Sequence, residues 1–213
     1  AARARAQRST RRTNVGSRDV SRPNASAAAA IYAALVETKP QAAVCVAWAG
    51  LEAREGRLEA ARQIYLRGWQ LYDLGAWGVE EAEAEEGSEV IELPRQIEAE
   101  ATDLLIEWAQ LESNAGNLTA ARALLRRGRQ ISPTRVRLNL AVAHLDMQIG
   151  DTAAARASFA AGASLKKAAT YDSSSVEFAE LFNAWGTFEA KQGDLDAALE
   201  VLATARSRFP QDA

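Results

Sequence analysis

Four glycines in matching contexts constrain this chain more than any other feature. They stand in Glu55-Gly56-Arg57-Leu58, Ala115-Gly116-Asn117-Leu118, Ile149-Gly150-Asp151-Thr152 and Gln192-Gly193-Asp194-Leu195. Five residues after each comes an alanine (Ala61, Ala121, Ala155, Ala198), then Arg62, Arg122 or Arg156, with Leu199 breaking the series. Nine residues after each glycine stands a bulky apolar residue: Tyr65, Leu125, Phe159, Leu202. Eight residues before stand Trp48, Trp108, Val142 and Trp185, each followed by a small residue. Four before is always an acid: Glu52, Glu112, Asp146, Glu189. With Ala28 as an earlier member, the equivalent alanines are 33, 60, 34 and 43 residues apart. The base period is about 34, the size of a helical hairpin repeat, interrupted by two insertions.

A unit of that length with a glycine turn is two antiparallel helices. Helix A carries the Trp and the small residue, and helix B presents alanine and an apolar residue four positions on, one stripe at helical spacing. Pro40, Pro133 and Pro210 follow Ala28, Ala121 and Ala198 by twelve residues, where a helix must stop. One hairpin cannot cover its own apolar face, so neighbours stack. The fold class is all-α, an α-α superhelix of stacked helix pairs. Helices are expected near 26–38, 41–55, 58–71, 99–115, 118–131, 135–149, 152–166, 176–192 and 195–208.

Charge divides the chain. Residues 1–24 hold seven Arg against Asp19 alone and read as a disordered basic arm, transit-peptide-like; a nucleic-acid-binding tail is the rival. The start at Ala1 reads as a processed or cut product. Residues 25–213 form the repeat domain, with an acidic insert at about 73–98. Nine Glu stand against Arg95 over 80–100; a solvated face or an acidic docking patch are the readings. Tyr72, Leu74, Trp77, Val90, Ile91 and Leu93 are candidates to pin the insert to the repeats.

The chain contains one Cys, one His and one Met. These exclude an internal disulfide and a Cys/His zinc site. No apolar run approaches the roughly 18 residues of a membrane span, and no phosphate loop, dinucleotide fingerprint or serine elbow is present. No enzyme, cofactor or metal is expected. His144 reads as a polar groove residue, with a weak hydrolase alternative. Cys45 reads as a small buried hydrophobe, and Trp48, Trp108 and Trp185 as core residues worth ~3–5 kcal/mol each on truncation to Ala. The acid and arginine lie ten residues apart across each turn, and pairs within a unit are expected: Glu52 with Arg62, Glu112 with Arg122, Asp146 with Arg156.

The 34-residue hairpin has tetratricopeptide geometry, but an acid stands in mid helix A where those repeats favour Tyr. The passages VAWAGLEAREGRLEAARQIYLRG and LIEWAQLESNAGNLTAARALLRRG resemble the HAT (half-a-TPR) repeat, over roughly residues 26–213. The third unit lacks Trp and the fourth lacks Arg. The resemblance implies RNA processing. With the transit-like arm, the chain is similar to the chloroplast HAT proteins that mature and stabilise psbB-type transcripts. It implies binding of single-stranded RNA and a chloroplast stromal setting, with the nucleus or another organelle as alternatives. It also implies that helix A lines the concave face. A scaffold binding protein or peptide is the second functional reading.

On that geometry the groove residues are Arg54, Glu107, Gln110, Asn114, Arg137, His144, Gln148, Asn183, Thr187 and Lys191, whose amides and cations suit unstacked bases and phosphates. Arg122, Arg126, Arg127, Arg129, Arg135 and Arg137 follow one another with no acid between. The first five are candidate phosphate contacts, with a solvated face as the alternative. The first half-unit lacks its helix A and the last helix B has no polar cap after it, which points to a fragment, to self-association through uncapped repeat ends, or to a partner covering an end.

Overall fold

The computed structural model describes residues 25–38, 41–72, 95–165 and 175–209. Among them every regular element is an α-helix: α1 (Ala25–Thr38), α2 (Ala42–Arg54), α3 (Leu58–Gln70), α4 (Arg95–Asn114), α5 (Leu118–Ile131), α6 (Val136–Ile149), α7 (Thr152–Ser164), α8 (Ser175–Gln192) and α9 (Leu195–Arg208). The largest departure from expectation is α4, which begins at Arg95 rather than 99. Pro94 directly precedes it in sequence, and proline is best tolerated at a helix start. The basic arm and residues 73–94 of the insert lie outside the described residues. Of the expected pinning side chains only Tyr72 is described; its ring meets Trp69 edge-on at 6.4 Å.

The pairs α2–α3, α4–α5, α6–α7 and α8–α9 pack most closely. Each is joined through its expected glycine, with φ of 77, 84, 86 and 88° at Gly56, Gly116, Gly150 and Gly193. This left-handed backbone is strained for any residue with a Cβ. The residue after the glycine serves both helices. Its N–H donates to the carbonyl five residues back (Asn117 to Glu112, 2.8 Å; Asp194 to Glu189, 3.0 Å), which closes helix A. The side chains of Asn117, Asp151 and Asp194 then accept from the N–H of Ala120, Ala154 and Ala197, capping helix B.

A second set of glycines brings the helices together. Gly68, Gly128 and Gly162 lie buried in α3, α5 and α7. A Cβ at Gly68 would meet Cys45 Cβ at 2.9 Å and Leu104 Cδ1 at 2.8 Å; at Gly128, Leu138 at 2.9 Å; at Gly162, Leu181 at 2.8 Å. The bare backbone of helix B therefore receives the leucine of the following helix A.

The acid–arginine pairs form, but between units rather than within them. Arg62 of α3 donates from Nε and a terminal nitrogen to the two carboxylate oxygens of Glu112 on α4, 2.8 Å each. Arg156 of α7 grips Glu189 of α8 at 2.7–3.1 Å. The expected pairs Glu52–Arg62, Glu112–Arg122 and Asp146–Arg156 do not form. Helix B turns its arginine toward the next hairpin, while the acid on helix A looks back at the preceding one. The indole four residues upstream binds the same carboxylate, Trp108 to Glu112 at 3.2 Å and Trp185 to Glu189 at 3.0 Å. The aromatic of helix B stacks on that indole: Tyr65 on Trp108 (5.9 Å, 8°) and Phe159 on Trp185 (6.1 Å, 4°). In the first full hairpin, which follows α1 among the described residues, Glu52 takes Trp48 and the turn residue Arg57 instead.

The junction from α5 to α6 departs from this plan. Leu125 and Val142 replace the aromatic pair, and Arg122 is exposed and makes no ion pair among the described residues. Asp146, one methylene shorter, accepts from Ser158 of its own unit at 3.1 Å. The apolar core divides here. One cluster runs from Val36 to Leu145 and centres on Tyr65, Trp69, Leu104 and Leu124; the other centres on Phe159, Phe178, Phe182 and Phe188. Ions hold this junction instead. Buried Arg135 meets both oxygens of Asp103 at 2.9 Å, and Arg137 meets Asp103 at 2.7 Å and also Glu107.

Candidate functional site

Helices α4, α6 and α8 touch in sequence as neighbours, and a cavity of about 540 Å³ opens between α4 and α6. At the two neighbouring junctions an aromatic ring rises from helix B against an indole; here Leu125 and Ala121 of α5 form the floor. Leu140 and Leu145 of α6 and Ile106 of α4 supply apolar walls, and Glu180 of α8 reaches one side.

Five of the ten residues selected from sequence as the groove come together at this cavity: Gln110, Asn114, Arg137, His144 and Gln148. Gln110 and Asn114 stand four apart on α4, and His144 and Gln148 four apart on α6, so each pair shares a helix face. Ser113 donates a hydrogen bond across the opening to Gln148. Arg54, Asn183 and Lys191 are exposed on α2 and α8 and do not line the cavity, nor does Thr187. Arg54 and Lys191 nevertheless hold the same repeat position as Asn114 and Gln148, two residues before the turn glycine. A cation therefore lies on the A helix to either side of the two amides.

The electrostatics differ from a reading by residue type. Burial alone would lower the Arg137 guanidinium, but Asp103 and Glu107 outweigh it and raise its pKa above the ordinary value. Its charge is committed to those acids. His144 is exposed on the cavity lining, and partial desolvation there pushes its pKa below the ordinary 6.5, which favours the neutral ring. Neutral imidazole offers one donor and one acceptor.

The six-arginine run separates into different environments. Arg135 is buried on Asp103 and faces no solvent phosphate. Arg127 lies over the Trp69 ring at 6.0 Å and donates to Gln130. Arg122 and Arg129 are exposed on α5, and Arg126 is half-buried. Sequence reasoning missed Asp103 and Glu107 as counter-ions because α4 precedes the run by some thirty positions. Their spacing of four, one helical turn, was the available signal. Cys45 is fully buried, and burial raises its thiol pKa over the weaker opposing effect of Arg67. Leu199 and Leu202 of α9 are exposed at the positions that face the next hairpin elsewhere, as are Ile31 and Leu35 of α1 at the other end. None of the described helices is long and apolar enough to cross a membrane. No protein-family model matches the chain, and no curated protein matches it.

Proposed function

We propose that this chain is a non-catalytic, HAT-like helical-repeat protein that holds single-stranded RNA on its A-helix face during transcript processing or stabilisation. The carrying observation is the amide-rimmed cavity between α4 and α6, flanked at the same repeat position by Arg54 and Lys191. The superhelical arrangement is part of the proposal. Successive A helices touch one another, while among the described residues no B helix touches another B helix. Such a stack curves with the A helices on its inner side. The Trp-to-acid and Arg-to-next-acid bonds use the residues that carry the HAT resemblance. A chloroplast setting rests on the composition of residues 1–24.

Fluorescence anisotropy with a single-stranded RNA, across a salt series, tests this reading. Binding should weaken linearly on a log–log plot, with a slope of roughly −0.7 per phosphate contact. Absence of binding at low salt ends it. The protein-scaffold reading is favoured by one observation: Arg137, which lines the cavity, and the nearby Arg135 are already paired with Asp103 and Glu107. A peptide ligand would bind with little dependence on salt.

A further inference from the structure

The cavity sits at the one described junction between full hairpins from which both rings of the aromatic pair are absent. Tyr65 on Trp108 and Phe159 on Trp185 fill the junctions to either side. Here Leu125, at the position of Tyr65 and Phe159, lines the cavity, and Val142, at the position of the indole, packs against the core beside it. We propose that this cavity is a nucleobase pocket, in which one unstacked base lies over Leu125, the position from which a ring rises at the neighbouring junctions. The inference rests on the RNA reading and deepens it.

The chemistry of the rim favours a base over an amino-acid side chain. Gln110, Asn114 and Gln148 each present a donor and an acceptor, and His144 adds one of each. A base edge carries both kinds of group and can use several of these at once. An aliphatic or phenyl side chain can use none, an indole only a single donor, and a phenol only what its one hydroxyl reaches. The floor from Leu125 to Leu145 is apolar, as a stacked ring requires. Arg54 and Lys191, exposed and with no ion pair among the described residues, lie on the next A helices to each side, where the phosphates flanking the captured nucleotide would run.

The test compares base-bearing RNA with abasic RNA of equal length, about twelve nucleotides, at low salt with the full chain. The wild-type protein should bind the base-bearing strand roughly tenfold more tightly. The variant Leu125→Tyr installs the B-helix ring of the α3–α4 junction at a lining position and should lose that preference while binding abasic RNA as before. Gln110→Ala/Gln148→Ala changes only exposed positions and should reduce the preference with the helical signal unaltered, which separates the proposal from misfolding of the filled variant. Equal wild-type binding of both strands overturns the pocket and leaves the RNA reading standing, as does full discrimination by both variants. No RNA binding at all, or binding only of aromatic peptides, overturns both.

Discussion

Arg62 and Glu112 lie fifty positions apart and meet through two parallel bonds of 2.8 Å, joining one hairpin to the next. Glu112 is buried, and the indole of Trp108 and the amide of Asn117 complete its shell. Arg62→Gln should lower stability by about 1–3 kcal/mol, the range for a charge-assisted hydrogen bond to a buried group. Arg122→Gln, at the equivalent but unpaired position, should stay within about 0.5 kcal/mol. Urea unfolding followed by circular dichroism gives both numbers, and equal losses would deny the clasp its role.

The same carboxylates set the response to acid. Burial alone would raise Glu112, but bonds from Arg62 and Trp108 outweigh it and hold its pKa below the ordinary 4.5. Arg57 does the same for Glu52, and Arg156 for Glu189, each against a smaller burial effect and with help from the indole. A depressed native pKa contributes stability that is complete above the ordinary value and lost as pH falls through the native one. Melting temperature should therefore drop below about pH 4.5, beginning at the unfolded-state value. Arg62→Gln should shrink that drop. A profile identical to wild type would mean that Glu112 does not titrate as described.

The helix-B glycines separate by what faces them. Ala improves helix propensity by about 1 kcal/mol over Gly, so a net loss must come from contact. Gly68→Ala drives its Cβ against Cys45 Cβ, which cannot rotate away, and should destabilise by roughly 1–3 kcal/mol. Gly128→Ala meets only the tip of Leu138 and should be near neutral. Thermal melts of the two variants rank them, and the reverse order would refute the close-approach argument.

The α5–α6 junction should accept the chemistry of its neighbours. Arg122 is already in place, and Val142→Trp with Asp146→Glu would supply the indole and the longer acid. In that background Arg122→Gln should become destabilising, with a coupling of about 1 kcal/mol in a double-mutant cycle. Zero coupling would show that the backbones stand too far apart here for the clasp to close.

Periodicity made most of the architecture legible. The turn glycines, the proline stops and the helix limits follow from local rules that need no partner. Partner choice did not. Ten residues across a turn suit a pair within a hairpin as well as one between hairpins, and only the facing of Arg62 toward α4 decides. Two signals in the chain could have settled it: Arg57 appears beside Glu52 only in the first hairpin, and the leucine and valine at positions 125 and 142 depart from the repeat together. Gly68, Gly128 and Gly162, each twelve residues past a turn glycine, were equally visible. Five groove positions converge because helical spacing fixes a face. The neutralisation of Arg135 and Arg137 was hidden because it depends on a distant helix.

Two of the three described seams between full hairpins are directional, with arginine and ring on one side and acid and indole on the other. The hairpins are thus not interchangeable bricks. Exchanging the second and third would set Tyr65 against Val142 and Leu125 against Trp185, leaving a single ring contact, Phe159 with Trp108, where there are now two. The order of the modules along the chain is written in side-chain matching, and the gap in the masonry has a fixed address.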